Sequence, residues 1–156
     1  MLISRSKNLT IQVVKKFKLA IFTWSGLTPS DVFRAGTIES LEVLRMHPNV
    51  NRIILNSKDH HLVGQDDITA SVNSTVDYLI VAKGNYKMAV IPPEDILAKS
   101  SIDQYIDSLN STLKKRFVVT KYETMKRAFS SLVMPKICFF FHGKATNKKP
   151  RSIVFS

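Results

Sequence analysis

From residue 50 onward the chain alternates short β-branched runs with longer stretches whose apolar residues recur every three or four positions. This alternation restricts the fold more than any other feature. Val50-Asn51-Arg52-Ile53-Ile54-Leu55 reads as a buried strand by its β-branched content. Ile68, Val72, Val76 and Leu79 then fall on one face of a helix. Tyr86 to Ile91 forms the next strand, stopped by Pro92-Pro93, and Ile102, Ile106, Leu109 and Leu113 mark a second amphipathic helix. Phe117-Val118-Val119 is a further strand, and Tyr122, Met125, Phe129 and Leu132 stripe a last helix. Strands joined through helices must cross over to lie parallel, so the pattern predicts an α/β fold with a largely parallel sheet.

The N-terminal part differs. Ile11 and Val13, then Phe17, Leu19 and Ile21, alternate at period two, which predicts two short strands over 9–24 bent around Lys15-Lys16. Thr28-Pro29-Ser30-Asp31 starts a helix, with Thr28 as cap, Pro29 in the first turn and Asp31 where a capping box wants an acid. That helix runs to about Met46, faces the core with Phe33, Thr37, Ile38, Leu41 and Leu44, and ends at His47-Pro48. Asp66 and Asp67 complement the dipole of the following helix. Lys83-Gly84-Asn85 closes it, although Tyr78 to Val81 taken alone also passes for a strand. The sum is a mixed, mostly parallel sheet of about five strands flanked by helices. It occupies one domain over residues 1–134. Residues 135–156 lose the pattern and read as a basic appendage in which Ile137 to Phe141 add an edge strand or cover an apolar patch.

Charge is distributed unevenly. The net +11 resolves into +5 over residues 1–18, −4 over 19–113 and +10 over 114–156. Basic ends suit a phosphate backbone or an anionic surface, but no interleaved aromatic platform or RNP motif accompanies them. Hydrophobic residues at 44% exclude the disordered and collagenous classes. No apolar run reaches the roughly 18–20 residues that span a bilayer, and no secretory h-region precedes the domain. A single Cys138 forms no internal disulfide, in keeping with a reducing, cytoplasmic location.

Chemistry-bearing motifs are sparse. Asp59-His60-His61 with Asp66 and Asp67 is the densest group of metal-ligand types, but adjacent histidines lack the spacing that converges on one ion, so no metal and no cofactor are expected. Ser57 has histidines nearby without a nucleophile elbow or oxyanion signature. Gly26, Gly36, Gly64, Gly84 and Gly143 build neither a Walker A loop nor a G-x-G-x-x-G turn. No enzyme is expected. Ligands of open α/β sheets gather beyond the carboxyl ends of the strands, which places Asn56, Ser57, Asp59, Pro92, Glu94 and Thr120 around a partly apolar crevice with Trp24 beside them.

The order of several short pieces resembles a known family. Phe22-Thr23-Trp24-Ser25-Gly26-Leu27-Thr28-Pro29, Leu44-Arg45-Met46-His47-Pro48-Asn49-Val50 and Arg52-Ile53-Ile54-Leu55-Asn56 are similar to the bacterial SpoIIAA-like group of STAS-related proteins. So are Lys87 to Lys99 and Phe117-Val118-Val119-Thr120 followed by Glu123, Ala128 and Phe129, and the likeness covers about residues 8–133. The resemblance implies a single STAS-like domain, a non-enzymatic regulatory or binding module. Its partner is an unknown protein or a small apolar ligand, with nucleic acid or an anionic membrane surface as the electrostatic alternative and a homodimer left open. Related anti-sigma factor antagonists are switched by phosphorylation of a serine that opens the second helix. Gly64-Gln65-Asp66-Asp67 falls there in this chain, so Asp66 puts a fixed negative charge where the switch would be.

Overall fold

The computed structural model describes residues 1–61, 63–82 and 84–133. Strands β1 (Leu2–Arg5), β2 (Leu9–Val14) and β3 (Leu19–Gly26) are followed by α1 (Ser30–Met46), β4 (Arg52–His60), α2 (Gln65–Val81), β5 (Tyr86–Ile91), α3 (Ile96–Leu113), β6 (Phe117–Lys121) and α4 (Met125–Val133). The six strands form one sheet in the order β1-β2-β3-β4-β5-β6. Antiparallel pairing joins β1 to β2 and β2 to β3; from β3 to β6 the pairing is parallel. The boundary at residue 134, the appendage and Cys138 lie outside the described residues.

Strand order decides which face each helix covers. Crossovers between parallel strands are right-handed, and here each successive strand is added on the same side of the last, so all three crossover helices land on one face. Accordingly α1 packs on α2 and α2 on α3, above the larger core of Leu9, Ile11, Phe22, Ile53, Met88, Val90 and Phe117. The helix after the last strand is free of this rule. It folds onto the other face, where Ala128 and Leu132 meet Leu19, Ile54, Ala89 and Ile91.

Among the described residues the sheet has six strands, where the pattern predicts about five. The additional one, β1, buries none of its residues; backbone pairing at the sheet edge defines it, and that leaves little hydrophobic signature. The opening of α1 also differs. Pro29 occupies the cap position, with no side-chain cap bond, and Thr28 instead turns its hydroxyl to His60. Ile38 is 62% exposed, off the buried stripe of α1. Tyr78 to Val81 are helical. Asp95 caps α3, accepting from the backbone N–H groups of Leu97 and Ala98 at 2.9 and 3.0 Å, which holds its carboxyl below its ordinary pKa range.

Candidate functional site: a cavity between the sheet and its helices

Parallel strands deliver side chains to the helix-covered face at every second position. Phe22 and Trp24 from β3, Ile53, Leu55 and Ser57 from β4, and Met88 from β5 therefore floor a common space. Leu41, Ile68, Ile102 and Tyr105 close it from the helices, leaving a cavity of about 70 Å³. That is several times the roughly 10–15 Å³ one water needs, but a buried water also needs two to four polar partners. The walls are predominantly apolar, so they favour a mainly apolar occupant.

At the carboxyl end of the strands the wall is aromatic. Trp24 stands 5.0 Å from Phe33 and 5.4 Å from the ring of His60, and His60 stacks on Phe33 at 5.9 Å, all between ring centroids. A shift in pairing turns His60 inward. Thr23 pairs with Asn56 but Ser25 with Asp59, so β4 carries one extra residue over that stretch. Such a bulge reverses the alternation beyond it. His60 is consequently buried and Asp59 exposed. Burial, reinforced by the neighbouring His61, pushes the His60 pKa down to about 4. At neutral pH its ring is uncharged, with Nε2 3.0 Å from the Thr28 hydroxyl.

Most hydroxyls of the cavity wall are already engaged. Thr37, Ser40, Thr75 and Ser101 donate to the carbonyls of Phe33, Gly36, Ser71 and Val63. Burial pushes the Tyr105 phenol up, partly offset by hydrogen bonding with Thr75 and Ser71. Ser57 is different. It is 1% exposed, and its Oγ is the sole buried side-chain N or O without a hydrogen-bond partner among the described residues. Leaving such a group unpaired costs about 1–3 kcal/mol. It is therefore an open donor and acceptor in an otherwise apolar wall.

Of the eight candidate site residues, seven at the crevice and Asp66 at the start of α2, only some reach the cavity. Trp24 and Ser57 line the cavity. Asn56 follows Ile54 on the opposite face of the sheet, where its Oδ1 accepts from the Lys58 N–H. Thr120 alternates with the buried Phe117 and Val119 and is exposed. Pro92 is half-buried, and Pro93 reaches the cavity in its place. Glu94 is exposed, 3.8 Å from Lys58. Asp66 is also exposed, whereas Asp67 is the residue that binds: its Oδ1 accepts from Ser30 Oγ at 2.6 Å and Arg34 Nε at 2.8 Å. Those two bonds tie the start of α2 to α1 and hold the Asp67 carboxyl below its ordinary range.

Several residues that line or shape the cavity were not expected there from sequence. His60 depends on a bulge that no local pattern encodes. Ser71 and Thr75 did leave a trace, as hydroxyl residues four apart on the Ile68 and Leu79 face of α2, where a fully apolar stripe is the norm. Gly36 left none: a Cβ there would lie 2.4 Å from Trp24 Cη2 and 3.0 Å from Leu9 Cδ2, so its absence lets α1 settle onto the Trp24 ring. No group of three or more potential metal-ligating side chains converges among the described residues, and no helix among them is long and apolar enough to cross a membrane. No family model, no curated protein and no solved structure matches this chain.

Proposed function

We propose that this protein is a non-enzymatic binding module of the SpoIIAA-like, STAS-related kind that takes a small, mainly apolar molecule bearing one hydrogen-bonding group. The family part of this reading rests on the resemblance over residues 8–133. The ligand part rests on one observation, the unpartnered Ser57 hydroxyl in an apolar cavity. A purely structural core gains nothing from an unpaired hydroxyl, whereas a ligand hydroxyl or carbonyl placed there recovers the lost hydrogen bond. With an exposed Asp66 in place of a phosphorylatable serine, occupancy of the cavity replaces phosphorylation as the signal that a partner protein reads.

The chain contains one tryptophan, and it lines the cavity, so its emission reports occupancy directly. Titration with benzyl alcohol and with toluene, exciting Trp24 selectively, should give saturable changes with both. Benzyl alcohol should bind about fivefold more tightly, the equivalent of one net hydrogen bond of about 1 kcal/mol. A linear, non-saturating response to both compounds would sink the ligand reading.

A further inference from the structure

We propose that the end of the domain at which the parallel strands begin docks onto an anionic lipid bilayer. The topology collects cations there from distant parts of the sequence. Lys15, Lys16 and Lys18 form the turn into β3; Arg52 opens β4 and Lys87 lies at the start of β5; residues 114–116 lead into β6 as Lys-Lys-Arg. Backbone bonds hold these segments together. The N–H groups of Asn51 and Arg52 donate to the Lys18 carbonyl at 3.1 Å, and that of Lys87 to the Asn51 carbonyl at 3.0 Å. Arg116 donates to the Leu79 and Ala82 carbonyls at the end of α2. Four strands at about 4.8 Å spacing spread this cationic ridge over roughly 15 Å.

Among the described residues no ion pair involves Lys15, Lys16, Lys18, Lys87, Lys114 or Lys115, although Lys16 lies 5.5 Å over the Phe17 ring. At the opposite end Arg34, Lys58 and Lys121 pair with Asp67, Glu94 and Asp103. Lys18 and Lys114 also hold positive backbone angles, φ 53° and 48°, which glycine adopts with less strain. Their charges are thus placed at a local cost in backbone energy.

Apolar side chains at the same end decide the partner. Crossover helices run antiparallel to the strands, so α1 and α2 end beside the ridge, with Met46 69%, Ile80 64% and Val81 81% exposed. A phosphate backbone offers such side chains nothing. A bilayer interface gains from both components, since affinity there rises with buried apolar area and with attraction to anionic headgroups. Asp59, Asp66 and Glu94 sit at the far end, whereas Glu42, paired with Arg45, and Asp77 and Asp107 lie in the last two turns of α1, α2 and α3. The cationic contact is therefore the ridge of strand starts and turns rather than the whole end.

The test is cosedimentation of the full chain with vesicles of phosphatidylcholine alone and with about 30% phosphatidylserine, at about 0.1 M salt and again at about 0.5 M, where the Debye length is roughly halved. Binding should require phosphatidylserine and fall at least tenfold in high salt. The double variant Lys18→Gly, Lys114→Gly should melt at an unchanged or higher temperature yet bind at least tenfold more weakly. The variant Ile80→Ser, Val81→Ser should likewise bind about tenfold more weakly. Equal binding to both vesicle types, or full binding by either variant, overturns the proposal. So does tighter binding to a mixed-sequence DNA duplex that the Ile80→Ser, Val81→Ser variant leaves untouched, which would assign the ridge to nucleic acid.

Discussion

Replacing Ser57 by alanine separates a binding residue from a packing residue, because the two roles predict opposite signs for stability. The Ser57 Oγ is buried without a partner, so the folded protein bears its desolvation, about 1–3 kcal/mol on general grounds. The hydroxyl borders a cavity, and the alanine methyl keeps the rest of the packing, so the lower end of that range applies. Ser57→Ala should then stabilise the ligand-free protein by about 1 kcal/mol. For a chain of 156 residues this corresponds to a rise in melting temperature of about 2–4 °C. In the Trp24 fluorescence titration the same variant should bind toluene as before or slightly better and lose the preference for benzyl alcohol. Calorimetry and the titration together give a paired signature, stability up and polar selectivity gone. A fall in stability of 1 kcal/mol or more would falsify the reasoning, because it would mean that the hydroxyl already has a partner in the unliganded protein.

Four other substitutions probe the cavity's surroundings and the start of α2. Gly36→Ala should cost about 1–3 kcal/mol by overpacking against Trp24, despite the roughly 1 kcal/mol by which alanine is the better helix former; an unchanged denaturation midpoint would show that the ring has room to move. His60, with its pKa lowered from 6.5 to about 4 by burial, makes the unfolded state the better proton binder between those values. Stability is therefore full above about pH 6.5 and falls as pH drops toward 4, and His60→Gln should flatten that part of a melting-temperature profile. Asp67→Ala should cost about 1–2 kcal/mol by unpairing Ser30 and freeing Arg34, and because its folded pKa is depressed, its contribution vanishes as pH falls below the ordinary carboxylate range. Asp66→Ser, at an exposed position, should stay within about 0.5 kcal/mol by urea denaturation; a larger loss would give Asp66 a structural role it lacks here.

The type of most elements, and the inward face of α2, α3 and β5, were legible from residue order alone, while Ile38 on α1 and Met125 on α4 fall on exposed positions. The stripes Ile102, Ile106, Leu109, Leu113 and Ile68, Leu79 are buried on α3 and α2, and β5 matches its apolar run from Tyr86 to Ile91. Periodicity is a local consequence of one side of an element meeting solvent and the other meeting core, so it survives in a single sequence. β1 escaped because an edge strand is defined by backbone bonds, and its contribution to the core is the half-buried Ile3.

Which side chains share a space was decided at the tertiary level. Asn56 and Ser57 are adjacent in sequence and stand on opposite faces of the sheet, while Trp24, Phe33 and His60 come from a strand, a helix and the far side of a bulge to stack together. The basic runs at 15–18 and 114–116 read as separate features along the chain; parallel pairing from β3 to β6 places both, with Arg52 and Lys87, at one end of the sheet. Sequence determines secondary structure and its apolar face through interactions within a few residues. Register, bulges and strand order depend on pairings between segments tens of residues apart, and those pairings decide both the cavity and the charged end.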